Sequence, residues 1–367
     1  MNARPSGRLK VSRILQARLL AWYEGARRDL PWRTTSDPYA IWVSETMLQQ
    51  TRVETVIPYY TRFLQQLPTI SALAEAPAEQ VLALWSGLGY YRRARMLQAA
   101  AKRIEREYGG SLPGDPDELR RLEGVGAYTA GAVASIAFGR RAAVVDGNVT
   151  RVLARLFAIE QDVKRARGRA RVWRLAEQLV ADGDGDPGVW NQALMELGAT
   201  VCVPRDPKCG SCPVSRQCQA RARGIAAQVP CTTPKRPPMA IRRVAIVLAS
   251  TRAVLLARRR ADVLFGGLWE PPSSEGEMGA LAVRLGLDEC ALAPIGEVVH
   301  VLSHRRMRVE VSRGPLVRRR RWPLPGPEYD AIEPVTIDRL GERGQGALTR
   351  KILAMANVVA GGLRSDE

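Results

Sequence analysis

The chain has 367 residues, of which 46% are hydrophobic and 25% are charged, so it is long enough for two globular domains and is unlike disordered or fibrous proteins. It carries 55 Lys and Arg against 37 Asp and Glu, which gives a formal net charge of +18. This charge favours nucleic acid as a partner. The alternative is an Arg-rich composition that gives the same charge without any polyanion as a partner. No stretch reaches the roughly 20 apolar residues of a membrane span and no signal peptide is evident, so we expect a cytoplasmic, nucleoid-associated protein without a membrane partner.

The first part of the chain has the pattern of a helical domain. From about Ile14 to Arg223, apolar residues recur at steps of three and four, as in the segment from Val149 to Phe157. We therefore predict a mostly α-helical domain in this part.

One carboxylate in this region shares a helix face with apolar residues. Glu45 lies four residues after Ile41 and three before Leu48. Desolvation on such a face raises the pKa of a carboxyl group, as a general acid near neutral pH requires. The alternative, a surface carboxylate on an amphipathic helix, would fit better if these neighbours were polar.

Two glycines then mark a turn between two predicted helices. Gly124 and Gly126 lie between a helix expected to end near Leu122 and one expected to begin after Gly126. Glycine permits a tight turn with exposed amides, and these amides with the next helix N-terminus can bind a phosphate. Taken alone, a GxG string is usually only a turn.

Asp146 follows a short apolar run and precedes an amphipathic helix expected to start near Val149. It can cap that helix, a common use of Asp. The positive helix end would also keep the carboxylate ionised, so that it could stabilise positive charge developing on a sugar. The two roles are compatible.

Four of the six cysteines form a cluster with the spacing C-x6-C-x2-C-x5-C, namely Cys202, Cys209, Cys212 and Cys218. A disulfide framework would normally distribute cysteines along a small secreted chain, so metal ligation fits better. Four thiolates suit either an iron–sulfur cluster or a tetrahedral zinc ion, and the spacing itself does not separate these two.

The composition changes after the cysteines. A run rich in Pro, Lys, Arg and Thr between Gly224 and Met239 predicts a linker. Beyond it, the short aliphatic runs Val244–Leu248, Val254–Ala257 and Val309–Val311 are typical of strands. The second domain is therefore predicted to be α+β.

Several longer strings resemble one family, the MutY-type A/G-specific adenine DNA glycosylases of the helix–hairpin–helix, iron–sulfur superfamily. The resemblance covers nearly all of residues 15–225. It is carried by the cysteine loop and by the strings Leu30–Arg33, Met47–Thr51, Gly87–Tyr91, Leu122–Gly131 and Trp190–Ala193.

This resemblance implies a multidomain architecture: an all-α helix–hairpin–helix glycosylase domain with an iron–sulfur cluster loop, followed by an α+β Nudix-like domain. The helical domain would cover 8–225, with a six-helix part at about 30–145 and a cluster part made of 8–29 plus 146–225. A linker would cover 226–240 and the Nudix-like domain 241–360.

The resemblance also implies roles for individual residues. Glu45 would be the acid that protonates the leaving adenine, Asp146 would stabilise the sugar cation, and the cysteines would hold one [4Fe–4S] cluster rather than zinc. The remaining positions would contact DNA: Arg33 and Gln192 in the pocket of the extruded adenine, Gln50, Thr51, Leu88 and Tyr90 around the mispair, and Gly124 and Gly126 at a phosphate.

Tyr128 distinguishes two reaction types within the superfamily. Bifunctional relatives that resemble endonuclease III carry a lysine nucleophile in the hairpin, where this chain has Tyr128. Without that amine, water should be the nucleophile and the strand should stay uncut. Tyr128 is expected to support the sugar or the catalytic aspartate.

In the second domain, Leu264–Pro272 resembles the opening segment of Nudix domains, but the following residues lack the glutamate-rich pattern that holds magnesium in Nudix hydrolases. A recognition module is therefore expected, and the resemblance to the family implies that it senses the oxidised guanine opposite the adenine. Ser303 and His304 are similar to the lesion-contacting loop of the family, although Leu302 stands where an aromatic residue is usual. The alternative is a loop with incidental polar residues.

These observations and the resemblance together predict a monomeric, monofunctional glycosylase. It would hydrolyse the N-glycosidic bond of adenine in double-stranded DNA where the adenine is mispaired with 8-oxoguanine or guanine. One alternative is a related glycosylase for another base, against which Gln192 and the second domain argue. The other is a non-catalytic DNA- or nucleotide-binding protein, against which Glu45 and Asp146 together argue.

Overall fold

A computed structural model of the chain describes residues 10–233 and 237–358. The ends of the predicted domains at 8–9 and 359–360, and residues 234–236 of the predicted linker, lie outside the described residues. Within those ranges, no helix has both the length and the apolar character that a membrane span requires.

Helices dominate the first two thirds of the chain, as the apolar periodicity predicts. Their bounds are α1 Lys10–Ala26, α2 Pro38–Leu48, α3 Val53–Gln66, α4 Ile70–Glu75, α5 Ala78–Leu84, α6 Arg92–Tyr108, α7 Pro116–Leu119, α8 Ala127–Ile136, α9 Gly147–Leu156, α10 Ala166–Ala181, α11 Pro187–Thr200 and α12 Gln219–Ala222. Two further helices, α13 Met278–Arg284 and α14 Ala347–Met355, lie in the C-terminal part.

Aspartates begin the helices that carry the candidate site. Asp37, Asp146 and Asp186 precede α2, α9 and α11, and each side chain accepts a hydrogen bond from at least one backbone N–H of the first helical turn. Proline occupies the first helical position of α2 and α11, where a backbone N–H is not needed. These caps fix the points at which the three helices start.

The described chain forms two compact units, one made of 10–50 with 103–233 and the other of 51–102 with 237–358. In the first unit the core lies among α1, α9, α10 and α11, with side chains such as Leu19, Leu153 and Leu197 almost fully buried. These units differ from the predicted domains, because 51–102 packs with the C-terminal part. One reason is that the carboxylate of Glu79 accepts a hydrogen bond from Trp269 Nε1 at 2.6 Å and pairs with Arg343 at 2.8 Å.

The second unit contains a seven-stranded sheet. Its strands are β1 Met239–Ala249, β2 Ala253–Arg259, β3 Trp269–Glu270, β4 Ser273–Ser274, β5 Ala293–Val301, β6 Arg305–Pro315 and β7 Tyr329–Thr336.

The sheet is mixed, in the order β3-β2-β1-β6-β5, with β4 beside β1 and β7 beside β2. The pair β1–β6 is parallel, while β5 and β6 form an antiparallel hairpin. The three strands predicted from sequence lie inside β1, β2 and β6. The predicted order, an all-α part followed by an α+β part, is confirmed.

Candidate active site

Glu45 lies on α2 and is 4% exposed. Helix α2 is buried on nearly all sides because its sequence is almost entirely apolar, and it packs against α8. From α8, the hydroxyl of Tyr128 donates a hydrogen bond to Glu45 Oε2 at 2.5 Å. The structure therefore pairs the predicted acid with the hydroxyl of Tyr128.

Burial raises the pKa of Glu45 from 4.5 to about 7. The hydrogen bond from Tyr128 acts in the opposite direction because it favours the ionised carboxylate, and the negative charge of Asp146 adds to the upward shift. A group with this pKa exchanges a proton near neutral pH, which is the property that a general acid needs.

Asp146 is the N-cap of α9. Its Oδ1 accepts a hydrogen bond from Val149 N at 2.6 Å, and its Oδ2 accepts one from Asn148 Nδ2 at 2.9 Å. Burial nevertheless raises the pKa of Asp146, while these hydrogen bonds partly oppose the shift. Burial therefore has a larger effect on this pKa than the hydrogen bonds of the helix cap.

The carboxylate of Asp146 lines a cavity of about 670 Å³. Gln50, the hairpin glycines Gly124 and Gly126, and Tyr128 also line this cavity. Gly124 has φ +77°, a left-handed conformation that glycine adopts readily, and Gly126 precedes α8 as its N-cap. The hairpin thus presents backbone amides beside two of the candidate catalytic residues.

The two residues predicted for the adenine pocket are connected through Tyr23. Its hydroxyl donates a hydrogen bond to Gln192 Oε1 at 3.3 Å, and the guanidinium of Arg33 lies 5.6 Å from the centre of its ring. Arg33 also lowers the pKa of Glu45, after the larger effects of burial, Tyr128 and Asp146. The structure therefore places Arg33 near the candidate acid, and Gln192 shares the partner Tyr23 with Arg33.

Glu196 is a buried residue beside the candidate site that sequence reasoning missed. It is 0% exposed, accepts hydrogen bonds from Arg28 Nε at 2.8 Å and from Arg33 Nη2 at 2.6 Å, and has a pKa of about 2. Burial acts to raise this pKa, but the two guanidinium groups outweigh it. The available signal was the position of Glu196 four residues after Gln192, on the same face of α11.

The second unit holds the other residues predicted to contact the mispair. Ser303 and His304 lie in the tight turn between β5 and β6, and the Tyr90 hydroxyl shares a hydrogen bond with Ser303 Oγ at 2.9 Å. Tyr90 is 47% exposed, whereas Leu88 is buried, so the exposed side chain of this pair is the tyrosine. Thr51 Oγ1 accepts a hydrogen bond from Arg93 at 3.0 Å.

Arg93, which the sequence did not suggest, organises the segment that carries Tyr90. Its guanidinium lies 5.5 Å from the ring centres of both Trp85 and Tyr90, and it donates a hydrogen bond to Gly89 O at 3.1 Å. Burial lowers the pKa of Arg93 to about 10, which leaves it charged at neutral pH. It therefore supports Tyr90 both by stacking and by fixing the adjacent backbone.

The four clustered cysteines are all free thiols, and Cys202, Cys212 and Cys218 pack against the core of the first unit. Nowhere in 10–233 or 237–358 do three or more His, Cys, Asp or Glu side chains gather as a metal ion would require. The loop is anchored by Arg155, whose buried guanidinium donates hydrogen bonds to Val203 O at 2.7 Å and to Cys202 Sγ at 3.4 Å.

The site in the first unit can deliver a proton and stabilise a cation. Glu45 supplies the proton near neutral pH, and Asp146 supplies a second carboxylate with a different set of partners. Two carboxyl groups in unlike environments are the requirement for cleaving a bond to a sugar carbon through a cationic transition state.

Comparison with known proteins identifies the family to which this chain belongs. Residues 43–178 match the model described as HhH-GPD superfamily base excision DNA repair protein, and residues 243–355 match the NUDIX domain model. An adenine DNA glycosylase of Rattus norvegicus is 40% identical over 356 residues, which cover 80% of this chain and 69% of the rat protein. The chain belongs to the adenine DNA glycosylase family.

A second relative and one solved structure show how far the similarity extends. The adenine DNA glycosylase of Homo sapiens is 39% identical, and the match covers 80% of this chain but 65% of the human protein, slightly less than two thirds. A solved structure of a thermostable thymine-DNA glycosylase is 32% identical, with a TM-score of 0.54, and covers 58% of this chain and 98% of its own. The glycosylase fold of the family is therefore shared by an enzyme named for a different base.

Proposed function

We propose that the chain hydrolyses the N-glycosidic bond of adenine mispaired with 8-oxoguanine or guanine in double-stranded DNA, as a monomer in the cytoplasm, and that it leaves the strand uncut. The observation that carries this proposal is the group formed by Glu45, Tyr128 and Asp146 beside the hairpin cavity. Membership of the adenine DNA glycosylase family supports the choice of base.

The reaction begins with the proton of Glu45. The neutral carboxyl group donates it to a ring nitrogen of adenine, and the bond between adenine and the sugar then breaks, with its electron pair leaving on the base. Positive charge develops on the sugar ring, where the carboxylate of Asp146 stabilises it. The hydrogen bonds to Asp146 from Val149 and Asn148 favour this ionised form against the effect of burial.

Water completes the reaction by adding to the sugar carbon. The proton that it releases can pass to the carboxylate left on Glu45, which restores the acid. Tyr128 holds that carboxylate through its hydroxyl and offers no amine for a covalent bond to the sugar. The product is free adenine and an intact strand with an abasic sugar.

We assign the residues around the extruded base by the same reasoning. Gln192 and Arg33 supply the hydrogen bonds that a flipped adenine needs, and Glu196 holds Arg33 in place. Tyr90 and Ser303 are assigned to the opposite, oxidised base. The bond between their side chains supports a common task for the two loops.

We also propose that Cys202, Cys209, Cys212 and Cys218 hold one [4Fe–4S] cluster, which would order this loop. The chemistry of the donor set suits such a cluster, because four free thiols follow one another in a single loop and the guanidinium of Arg155 faces Cys202 Sγ at 3.4 Å. The thiols are not gathered around one point in the described structure, so binding would draw them together. Thiolates would add negative charge beside this guanidinium, whose other partners are the carbonyl oxygens of Val203, Pro204 and Val229. Absorbance near 400 nm with bound iron and sulfide would support the cluster, whereas a colourless protein that binds zinc would contradict it.

The decisive experiment measures base release from duplexes with one defined mispair. Adenine opposite 8-oxoguanine should be released, and the strand should break only after alkali treatment. A parallel duplex with thymine opposite guanine tests the alternative that the thymine-DNA glycosylase structure raises. Release of thymine but not adenine, or strand scission without alkali, would contradict the proposal.

A further inference from the structure

The loop that carries Leu88 and Tyr90 is fixed at its base by the C-terminal part of the second unit. Ser86 Oγ donates a hydrogen bond to Gln345 O at 2.7 Å and accepts one from Gln345 N at 3.1 Å. Arg350 Nη2 donates to Ser86 O at 2.7 Å and to Ser86 Oγ at 3.0 Å. The serine hydroxyl thus uses its single donor and both of its acceptor positions.

The other end of the loop reaches the same carbonyl. The hydroxyl of Tyr91 donates a hydrogen bond to Gln345 O at 2.7 Å and accepts one from Gly87 N at 3.0 Å. Ser86, Tyr91 and Gln345 are each less than 10% exposed. Because buried hydrogen bonds are costly to leave unmade, both ends of the 86–91 loop are held at one point.

The backbone between these ends has little freedom to take another course. Gly87 has φ +108°, and a Cβ at this position would lie 2.1 Å from Tyr59 Oη and 2.9 Å from Arg350 Nη1. Tyr59 also donates a hydrogen bond to Ser86 O at 3.0 Å. The loop therefore fits closely into a groove that Arg350 helps to form.

The tip of the loop makes a second, separate contact with the turn between β5 and β6, through the hydrogen bond between Tyr90 and Ser303. Because the loop is short, a displacement of its backbone at Ser86 also displaces Tyr90 relative to Ser303. Discrimination between opposite bases depends on such placement, because a hydrogen-bonding group that is displaced by about 1 Å loses much of its effect.

We propose that Arg350 and Ser86 are positioning residues that set the selectivity for the base opposite adenine, by fixing the loop from which Tyr90 acts. This inference rests on the proposed function, since selectivity for the opposite base has a meaning only if the protein releases adenine from a mispair. Arg350 itself contacts the loop backbone and does not belong to the group of Glu45, Tyr128 and Asp146 that performs the chemistry.

The test compares Arg350→Met with Lys351→Met in the full chain. Both variants replace a basic residue of α14 by an unbranched apolar one, but Lys351 is exposed, its hydrogen bond to Val299 O is long at 3.4 Å, and its charge acts on His300 and not on the 86–91 loop. Single-turnover rates of adenine release are measured opposite 8-oxoguanine and opposite guanine. Arg350→Met should reduce the ratio of these rates about tenfold, and Lys351→Met should leave it within twofold.

Two further measurements separate positioning from a general loss of structure. Tyr90→Phe removes only an exposed hydroxyl and should lower the same ratio. If Arg350 acts through Tyr90, the double variant should change the ratio less than the product of the two single changes. Thermal unfolding of each variant shows whether the fold is retained.

The outcomes distinguish failure of this inference from failure of the proposed function. If the unsubstituted protein releases adenine from neither duplex, the proposed function is wrong. If it releases adenine and Arg350→Met folds but keeps its ratio, or lowers both rates equally, the positioning role is wrong. If Arg350→Met does not fold, an unchanged ratio in Tyr90→Phe overturns the inference.

Discussion

Two buried glutamates of the first unit differ sharply in their chemistry. Glu45 is 4% exposed and has a pKa of about 7, whereas Glu196 is 0% exposed and has a pKa of about 2. Burial pushes both pKa values upward. The difference arises from the partners, because Glu45 has the neutral hydroxyl of Tyr128 and Glu196 has two guanidinium groups.

This comparison separates two uses of a buried carboxyl group. A carboxyl group without a cation of its own keeps its proton near neutral pH and can give it to a substrate. A carboxylate held by Arg28 and Arg33 stays ionised and acts as a fixed anchor. Four predictions test this division.

Glu45→Gln should reduce adenine release by roughly 10²–10⁴-fold, because the amide fills the same space but has no acidic proton to give. Affinity for the mispaired duplex should be retained. Single-turnover kinetics and equilibrium DNA binding measure the two properties separately. Turnover like that of the unsubstituted protein would refute the assignment of Glu45 as the acid.

Stability should depend on pH in opposite directions at the two sites. The raised pKa of Glu45 means that its contribution is fully present below pH 4.5 and is lost as pH rises through about 7. The lowered pKa of Glu196 means that its contribution is present above pH 4.5 and is lost as pH falls through about 2. Glu45→Gln should therefore remove part of the loss of stability between pH 4.5 and about 7, which urea unfolding of the variant and the parent over this range measures.

Glu196→Gln should lower the free energy of unfolding at pH 7 by about 3 kcal/mol, the value that corresponds to a pKa change from 4.5 to about 2. Urea unfolding at pH 7 and pH 3 measures this, and the difference between variant and parent should shrink at pH 3. Glu160→Gln is the control, since Glu160 pairs with Arg223 at the surface. Equal effects of the two substitutions would contradict the anchor role.

Tyr128→Phe should move the alkaline limb of the rate–pH profile upward by on the order of one pH unit, because the lost hydrogen bond favours ionised Glu45. The ring is retained, so burial of Glu45 should persist. The rate–pH profile of adenine release measures the shift. In a Glu45→Gln background, the same substitution should have no effect on the profile, and an effect there would show that another group titrates.

Local signals in the sequence predicted much of this site. The apolar neighbours of Glu45 at helical spacing indicated a buried acid, and Asp146 was predicted as a helix cap. The hairpin turn was located from Gly124 and Gly126. Each of these features depends on residues within a few positions of one another, where periodicity, caps and glycine conformation are informative.

Features that depend on distant contacts were not predicted. Glu196 lies 168 residues from Arg28 and 163 from Arg33, so no local pattern indicated its partners. The upward pKa shift of Asp146 has the same cause, since burial comes from packing of separate helices and not from the capped turn itself. The packing of 51–102 with the C-terminal half is likewise a non-local property.

The hydrogen bond between Ser86 and Gln345 spans 259 residues of chain, and this span constrains biosynthesis. While the ribosome is still translating the intervening sequence, Ser86 has already emerged and its partner does not yet exist. Contacts so remote along the chain form slowly. The 86–91 loop can therefore reach its final geometry only when translation is nearly finished, and a nascent chain stalled before residue 345 would lack it.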